Sequence, residues 1–215
     1  SMAARVIEPF LQAQRLQPEL GFITHTDNDH QGGWQFLTQR YPQITWFGGG
    51  NANPCIAGQQ GSWYDVQWRV LHPRSERAIG NRSNNQSCVL LIEFDNFRLL
   101  LTGDIERQAE RELLAALAPI QAHVLVVAHH GSKSSSEGYF IRHVRPSVAL
   151  VSRGRNNPYG QIHEEVSQRF AQYKIPVFDT ARGGQINVVT DGKGWHVEQP
   201  FAARNGAWFD SDPLQ

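Results

Sequence analysis

Three short clusters in this chain of 215 residues carry side chains suited to chemistry: His25-Thr26-Asp27-Asn28-Asp29-His30, Thr102-Gly103-Asp104 and His129-His130-Gly131-Ser132. The first packs two imidazoles and two carboxylates into six residues. In an extended segment positions 25, 27 and 29 share a face, and a turn at 30 can bring the second imidazole round. That mixture suits a divalent cation. Gly32-Gly33, just beyond, lets backbone crowd close to a ligand pocket. In the second cluster Asp104 ends an apolar run beside a glycine, a good place from which to bridge two cations. The third supplies adjacent histidines; along a strand these would point oppositely, leaving one as a ligand and the other as an outer or substrate contact. Each cluster also has a plainer use. The aspartates of the first can serve a polar turn, Asp104 can cap a helix starting at Ile105, and a histidine pair can be surface chemistry. Three ligand clusters, each after a β-type run, are hard to explain that way.

The runs that must position these residues alternate between strand and helix patterns. Gly21–Thr24, Ile44–Phe47, Val124–Val127, Val148–Val151 and Val177–Phe178 are short apolar strands, and Trp63–Leu71 alternates as one or two more. Ser87–Phe94 and Arg98–Leu101 flank Asp95-Asn96-Phe97 as a hairpin, and Gln185–Thr190 with Trp195–Glu198 forms another around Asp191-Gly192. Helical patterns cover Arg5–Leu16, Gly32–Arg40, Ile105–Leu117, about 136–144 and about 163–173, while 72–86 reads as loop. Strands interleaved with helices predict a layered α/β architecture in a single domain over 1–215. Ser1-Met2 reads as an expression scar, and about 200–215 as a frayed tail.

Composition narrows the field. Basic and acidic residues balance at 20 each, so no global field points to nucleic acid or anionic lipid. Within the basic set, 17 are Arg and three are Lys (Lys133, Lys174, Lys193), a bias that suits bidentate phosphate contacts and equally a codon habit. Two cysteines, Cys55 and Cys88, make no disulfide framework, and no run approaches the roughly 18 apolar residues of a membrane span.

In their order the three clusters resemble the metallo-β-lactamase superfamily. Asn85-Gln86-Ser87, Leu101-Thr102-Gly103-Asp104-Ile105-Glu106 and Asn156-Asn157-Pro158-Tyr159-Gly160 further resemble one branch, the C-terminal domain of ComEC-type DNA-internalisation competence proteins. The resemblance runs from about residue 5 to 195. It implies an αββα sandwich without its first strands, since the Val-Gly-Gln-Gly-Asp type segment and the Asp-x-Gly that open the fold are absent before His25. One sheet is then expected to be incomplete, with an exposed edge.

Carried over residue by residue, the resemblance makes His25, Asp27, Asp29, His30, Asp104 and His129 the metal ligands. Asp29 and His130 become catalytic residues, and Ser132, Lys133, Arg153, Arg155, Gln161 and His163 substrate contacts, with loop arginines 74, 77 and 82 extending the track. Three departures matter. Asp27 stands where two-zinc hydrolases usually carry histidine. The histidine expected before the Asp104 hairpin appears as Asn84 or Asn85, with His72 further upstream. The branch's Gly-His-Pro reads Gly160-Gln161-Ile162-His163, so either His163 substitutes from two positions away or a contact is lost. Oxygen-rich ligands favour manganese, with zinc or magnesium as alternatives. The implied function is a metal-dependent phosphodiesterase acting on DNA, single-stranded by preference, during competence-related uptake. The implied partner is the membrane-embedded channel region of the same parent chain, with this domain on the periplasmic side of the inner membrane. The competing readings are a lactone, thioester or β-lactam hydrolase on the same fold, and a non-catalytic interaction module with degenerate metal sites.

Overall fold

The computed structural model describes residues 1–49, 53–75, 84–157, 159–191 and 193–201. Arg77, Arg82, Pro158, Gly192 and the expected tail from 202 onward lie outside the described residues. A helical turn (Ala3–Ile7) runs into α1 (Glu8–Ala13), then β1 (Leu20–Ile23), α2 (Asn28–Gln31), α3 (Trp34–Arg40) and β2 (Thr45–Gly48). The alternating 63–71 segment is the heart of a hairpin, β3 (Gln60–Trp63) and β4 (Val66–His72). Next come β5 (Val89–Phe94), β6 (Phe97–Leu101), α4 (Arg107–Ala115), β7 (Val124–Val126), α5 (Gly138–Val144) and β8 (Val148–Val151). The chain continues through α6 (Glu164–Gln172), β9 (Val177–Asp179), α7 (Thr180–Gly183), β10 (Asn187–Thr190) and β11 (Trp195–Glu198). Among the described residues no helix is long and apolar enough to cross a membrane.

Strands β3 to β9 form one seven-stranded sheet in sequence order, antiparallel from β3 to β6 and parallel from β6 to β9. The pleat sorts its side chains onto two cores. Along β5, Val89 and Leu91 face α4, α5 and α6, where Leu113, Phe140, Ile141, Val166 and Phe170 are buried. Leu90 and Ile92 face the other way, onto Trp68, Val70, Phe22 and Phe47. β1 and β2 pair in parallel as a separate two-stranded sheet on that second face. Trp46 alternates away from Phe47 to join Ala3, Leu11, Leu37 and Tyr41, so α1 and α3 cover the outside of the small sheet. Gly21 accommodates this packing, because a Cβ there would sit 2.4 Å from the Trp46 ring. Read through its three cores, the layer order is helix, small sheet, large sheet, helix.

Two features tie the loops near the sheet's edge. Cys55 and Cys88 form a disulfide, with Cα atoms 5.8 Å apart and both residues buried. The sequence pattern did not anticipate this pairing, because 33 residues separate the two cysteines and nothing local brings them together. Closing a loop of that size restricts the unfolded chain by on the order of 3–4 kcal/mol.

The second tie is Glu110, fully buried on α4, whose carboxylate accepts from the backbone amides of Ser136 and Glu137. Burial pushes its carboxyl up to about 7, against the pull of those two hydrogen bonds. A carboxyl raised in the folded state is protonated where the unfolded chain has already released its proton. Its contribution is therefore present below about pH 4.5 and is lost as pH rises to about 7, a swing of roughly 3 kcal/mol. Glu110→Gln, which does not titrate, is expected to flatten that part of the stability profile. Urea midpoints measured from pH 4.5 to 7.5 check this, and parallel slopes for variant and parent would refute it.

Candidate metal centre

Because β6, β7 and β8 run parallel, their C-terminal ends open on one edge of the large sheet, the usual place for a site in such architectures. Residues 102–104 follow β6, residues 128–131 follow β7, and Ser152 follows β8. The loop after β1 reaches the same edge, where Cys88 N donates to Thr24 O at 2.8 Å. At the centre stands Asp104, whose side chain is 7% exposed.

Four imidazoles aim Nε2 at that carboxylate: His30 at 3.2 Å, His130 at 3.7 Å, and His25 and His129 at 4.0 Å. Each ring is held from behind at Nδ1. Thr24 Oγ1 contacts Nδ1 of His25 at 3.1 Å and of His30 at 3.0 Å, and Ser87 Oγ reaches His25 Nδ1 at 3.3 Å. His130 Nδ1 donates to Ser152 O at 2.7 Å, and His129 Nδ1 lies 3.4 Å from Glu106 Oε1. Asp29 Oδ2 approaches His130 Nε2 at 3.3 Å and His30 Nε2 at 3.7 Å, while Asp27 pairs with His25 at 3.5 Å.

The electrostatics follow from this crowding. Burial would raise the Asp104 carboxyl, but contact with His30 and the fields of His30, His130 and His129 outweigh it and hold the group below the usual carboxylate range. Burial would lower the His30 imidazole, yet Asp104, then Asp29 and Asp27, raise it. His25 stays low, chiefly through burial and the like charge of His30.

The residues fit a divalent cation on a specific observation: Nε2 of His25, His30 and His130 are buried and make no hydrogen bond. Orphaned imidazole nitrogens around a buried carboxylate are costly unless a cation satisfies them. The ligand atoms of Asp29, His30, Asp104 and His130 all lie within 4.8 Å of one another. His25, Asp27 and His129 flank that group around the same Asp104.

The expectation that the histidine pair would point oppositely needs correcting. His129, His130 and Gly131 leave β7 through three consecutive left-handed residues, with φ of 49°, 55° and 85°. This turn replaces the strand geometry and sends both imidazoles to one side. Gly131 is required there, since a Cβ would meet Ile162 Cγ2 at 2.8 Å with φ positive. His130, expected to act outside the ligand set, is one of the four clustered donors.

The other expected residues divide. Asp27, Asp29, Ser132, Lys133, Arg153, Gln161 and His163 all line one cleft of about 1610 Å³, together with Asp104, His129 and His130. Within it the Arg153 guanidinium is engaged by buried Asp179 through Nε at 2.8 Å, so it braces the sheet end. Gln161 Nε2 donates to His129 O at 3.3 Å, and His163 Nδ1 accepts from Glu165 N as the cap of α6. Arg155 does not line the cleft. His72 is buried behind the site with Nε2 on Asn85 O at 2.8 Å, its imidazole lowered chiefly by burial. Asn84 Nδ2 lies 3.4 Å from His129 Nε2. Thr24, Ser87 and Glu106 escaped sequence reasoning. Thr24 adjoins the first cluster, and Ser87 and Glu106 fall in segments already singled out, but nothing in residue type assigns them to a histidine.

No family model matches the chain. Among solved structures it resembles a metallo-hydrolase from the archaeon Ignicoccus hospitalis, with TM-score 0.52 and 15% identity over 80% of this chain and 79% of that one. A metal-dependent hydrolase from Parabacteroides distasonis aligns with TM-score 0.51 and 12% identity over 75% of each chain. The fold is therefore that of the metallo-β-lactamase-like hydrolases, with a donor set suited to a divalent metal.

Sequence relatives narrow this class. Recombination protein 2 of Haemophilus influenzae is 35% identical over 195 residues, covering 87% of this chain and 24% of that protein. ComE operon protein 3 of Bacillus subtilis is 30% identical over 207 residues, 86% of this chain and 26% of that protein. Competence protein ComA of Neisseria gonorrhoeae is 32% identical over 170 residues, 76% of this chain and 24% of that protein. The chain belongs to the family of these proteins and spans about a quarter of the length of the curated relatives it matches.

Proposed function

We propose that this domain is a metal-dependent phosphodiesterase that degrades DNA, single-stranded by preference, during competence-related uptake. The observation that carries the reading is the ring of imidazoles around Asp104, three with buried unsatisfied Nε2 atoms, beside a wide cleft that Asp104, His129 and His130 line. Divalent cations held by His25, Asp27, Asp29, His30, Asp104, His129 and His130 would supply Lewis-acid stabilisation of charge on a phosphate. Manganese is the metal we favour. The chain's own residues do the rest. Asp29, 63% exposed at its side chain against 7% for Asp104, is placed to take a proton from water at Oδ2. Ser132 and Lys133 line the approach and offer donors to phosphate oxygens.

The cleft also supports a polymeric substrate. Its volume exceeds the roughly 300–1,000 Å³ of small-molecule pockets, which weighs against a lactone or β-lactam. Half-exposed Phe10 and exposed Tyr159 line its walls with Arg5, a pairing of aromatic and cationic groups that suits unstacked bases and a phosphate backbone. The Cys55–Cys88 disulfide favours an oxidising compartment, in keeping with a domain held on the periplasmic side of the inner membrane beside the channel region of its parent.

A labelled single-stranded oligonucleotide tests the reading. The protein is expected to degrade it, to stop on chelation and to resume when manganese is restored. Asp29→Asn is expected to leave only background activity. Its metal-free thermal midpoint should equal or slightly exceed the parent's, because one of three converging carboxylates is neutralised. Undiminished cleavage by this variant would remove Asp29 from the mechanism. A midpoint several degrees lower would contradict the carboxylate clustering, and no cleavage with any metal would favour a non-catalytic module.

A further inference from the structure

The Thr-Gly-Asp-Ile-Glu segment contains a second acid that the proposed chemistry does not use. Backbone around Glu106 is extended, with φ −115° and ψ −176°, and its amide donates to Asn85 Oδ1 at 2.9 Å. Ile105 turns into the core, where it is fully buried. Asp104 and Glu106 therefore lie on the opposite side from Ile105, toward the histidines. Glu106 Oε1 accepts from Ser134 Oγ at 2.8 Å and lies 3.4 Å from His129 Nδ1. The far nitrogen of that ring, Nε2, faces Asp104 Oδ2 at 4.0 Å.

The other three imidazoles differ in what stands behind them. His25 and His30 lean on the Thr24 hydroxyl, which can donate or accept, and His130 is fixed by the Ser152 carbonyl. Among the described residues, only His129 of the four has a carboxylate at Nδ1, where Ser134 Oγ at 3.4 Å and Asn84 Nδ2 at 3.5 Å are the neutral neighbours. A charged acceptor there favours the tautomer with its proton on Nδ1, frees the Nε2 lone pair and makes it more basic.

We propose that Glu106 is a positioning residue that sets the tautomer and orientation of His129 as a metal ligand on the Asp104 side of the centre. This rests on the metal-dependent reading above but not on the identity of the substrate. A purely structural role is the competing explanation, since Glu106 also braces the loop at Ser134.

The test has a metal-free arm and a metal arm. Long-range proton–nitrogen spectra of histidine-labelled, metal-free protein at pH 8 are expected to show His129 protonated at Nδ1. In Glu106→Ala the ring should move toward the Nε2-protonated form that free imidazole prefers. Calorimetric titration with Mn²⁺ alone is expected to show a 10–100-fold weaker affinity in Glu106→Ala. Glu106→Gln, which still accepts but carries no charge, should fall between. Ser134→Ala, which removes the loop brace and the hydroxyl contact at 3.4 Å to His129 Nδ1 but leaves the Glu106 carboxylate in place, should stay within a factor of about three of the parent at matched thermal midpoints. Parental Mn²⁺ affinity in Glu106→Ala would overturn the proposal. So would an unchanged His129 tautomer, or an equal loss in Ser134→Ala. If the parent itself bound no Mn²⁺, the metal reading would fall, while the metal-free spectra would still decide whether Glu106 sets the tautomer.

Discussion

Asp104→Asn is expected to abolish both metal binding and hydrolysis and, unlike Asp29→Asn, to destabilise the metal-free protein. The asymmetry follows from burial. Asp104 is almost enclosed and is the common neighbour of four imidazoles, whereas Asp29 is largely in water. Removing its charge takes away the partner that raises His30 and leaves buried ring nitrogens facing a neutral amide. The loss should be about 2 kcal/mol, in the range for leaving a buried polar group without its compensating charge, or roughly 4–8 °C for a chain of this size. The pH dependence has a definite sign. The depressed Asp104 contributes stability above its ordinary value of 3.8, lost as pH falls through its folded value. The raised His30 contributes below its ordinary 6.5, lost as pH rises through its folded value. The gap between parent and variant should therefore be widest between about pH 4 and 6.5 and narrow as pH rises through the raised value of His30. Thermal midpoints of chelated protein at pH 5.5 and 8.5 measure it. A constant gap would show that the pair is not ionised as described.

The second large effect concerns which cation the centre takes. With His130 turned inward, the donor set is four imidazoles and three carboxylates, richer in nitrogen than a reading with one inward histidine implies. Zinc should then bind most tightly of the three candidate cations, since divalent affinities rise along the first transition row. Turnover is a separate matter. A phosphodiester needs open positions for water and for a non-bridging oxygen, which manganese keeps more readily than tetrahedral zinc. Manganese is expected to restore most activity to chelated protein, magnesium less, and excess zinc to inhibit. Manganese at about 100 times its dissociation constant should add about 2.7 kcal/mol of stability, or roughly 5–10 °C. Equal turnover with zinc alone would sink the manganese assignment. No thermal shift with any divalent cation would sink the metal centre itself.

What could be read in the sequence was whatever local periodicity encodes. The hairpin around Asp95-Asn96 and the four-residue apolar runs of β7 and β8 stood out because a strand covered on both faces must be apolar throughout. The clusters at 25–30, 104 and 129–130 could be seen as one site because each ends such a run. What stayed hidden depends on contacts distant in the chain. Glu106 looks like the first acid of a helix until Ser134 and His129 arrive from 28 and 23 residues away. Arg153 reads as a free phosphate contact until β9 delivers Asp179. The direction of the histidine pair was missed for a different reason, because it depends on backbone handedness, which residue types alone rarely specify.

That handedness shapes which mutations the site can tolerate. Left-handed backbone is cheap for glycine, tolerable for asparagine and aspartate, and costs most for β-branched side chains. At His129 and His130, function and conformation therefore impose separate filters. A saturation library sorted first for folded protein and then for activity should separate them. Asparagine, aspartate and glycine should survive the first sort and fail the second, whereas valine, isoleucine and threonine should already be depleted in the first. The same residues that hold the cation would thus mark where a lineage can lose its chemistry while keeping its shape, leaving well-folded descendants free to acquire other uses.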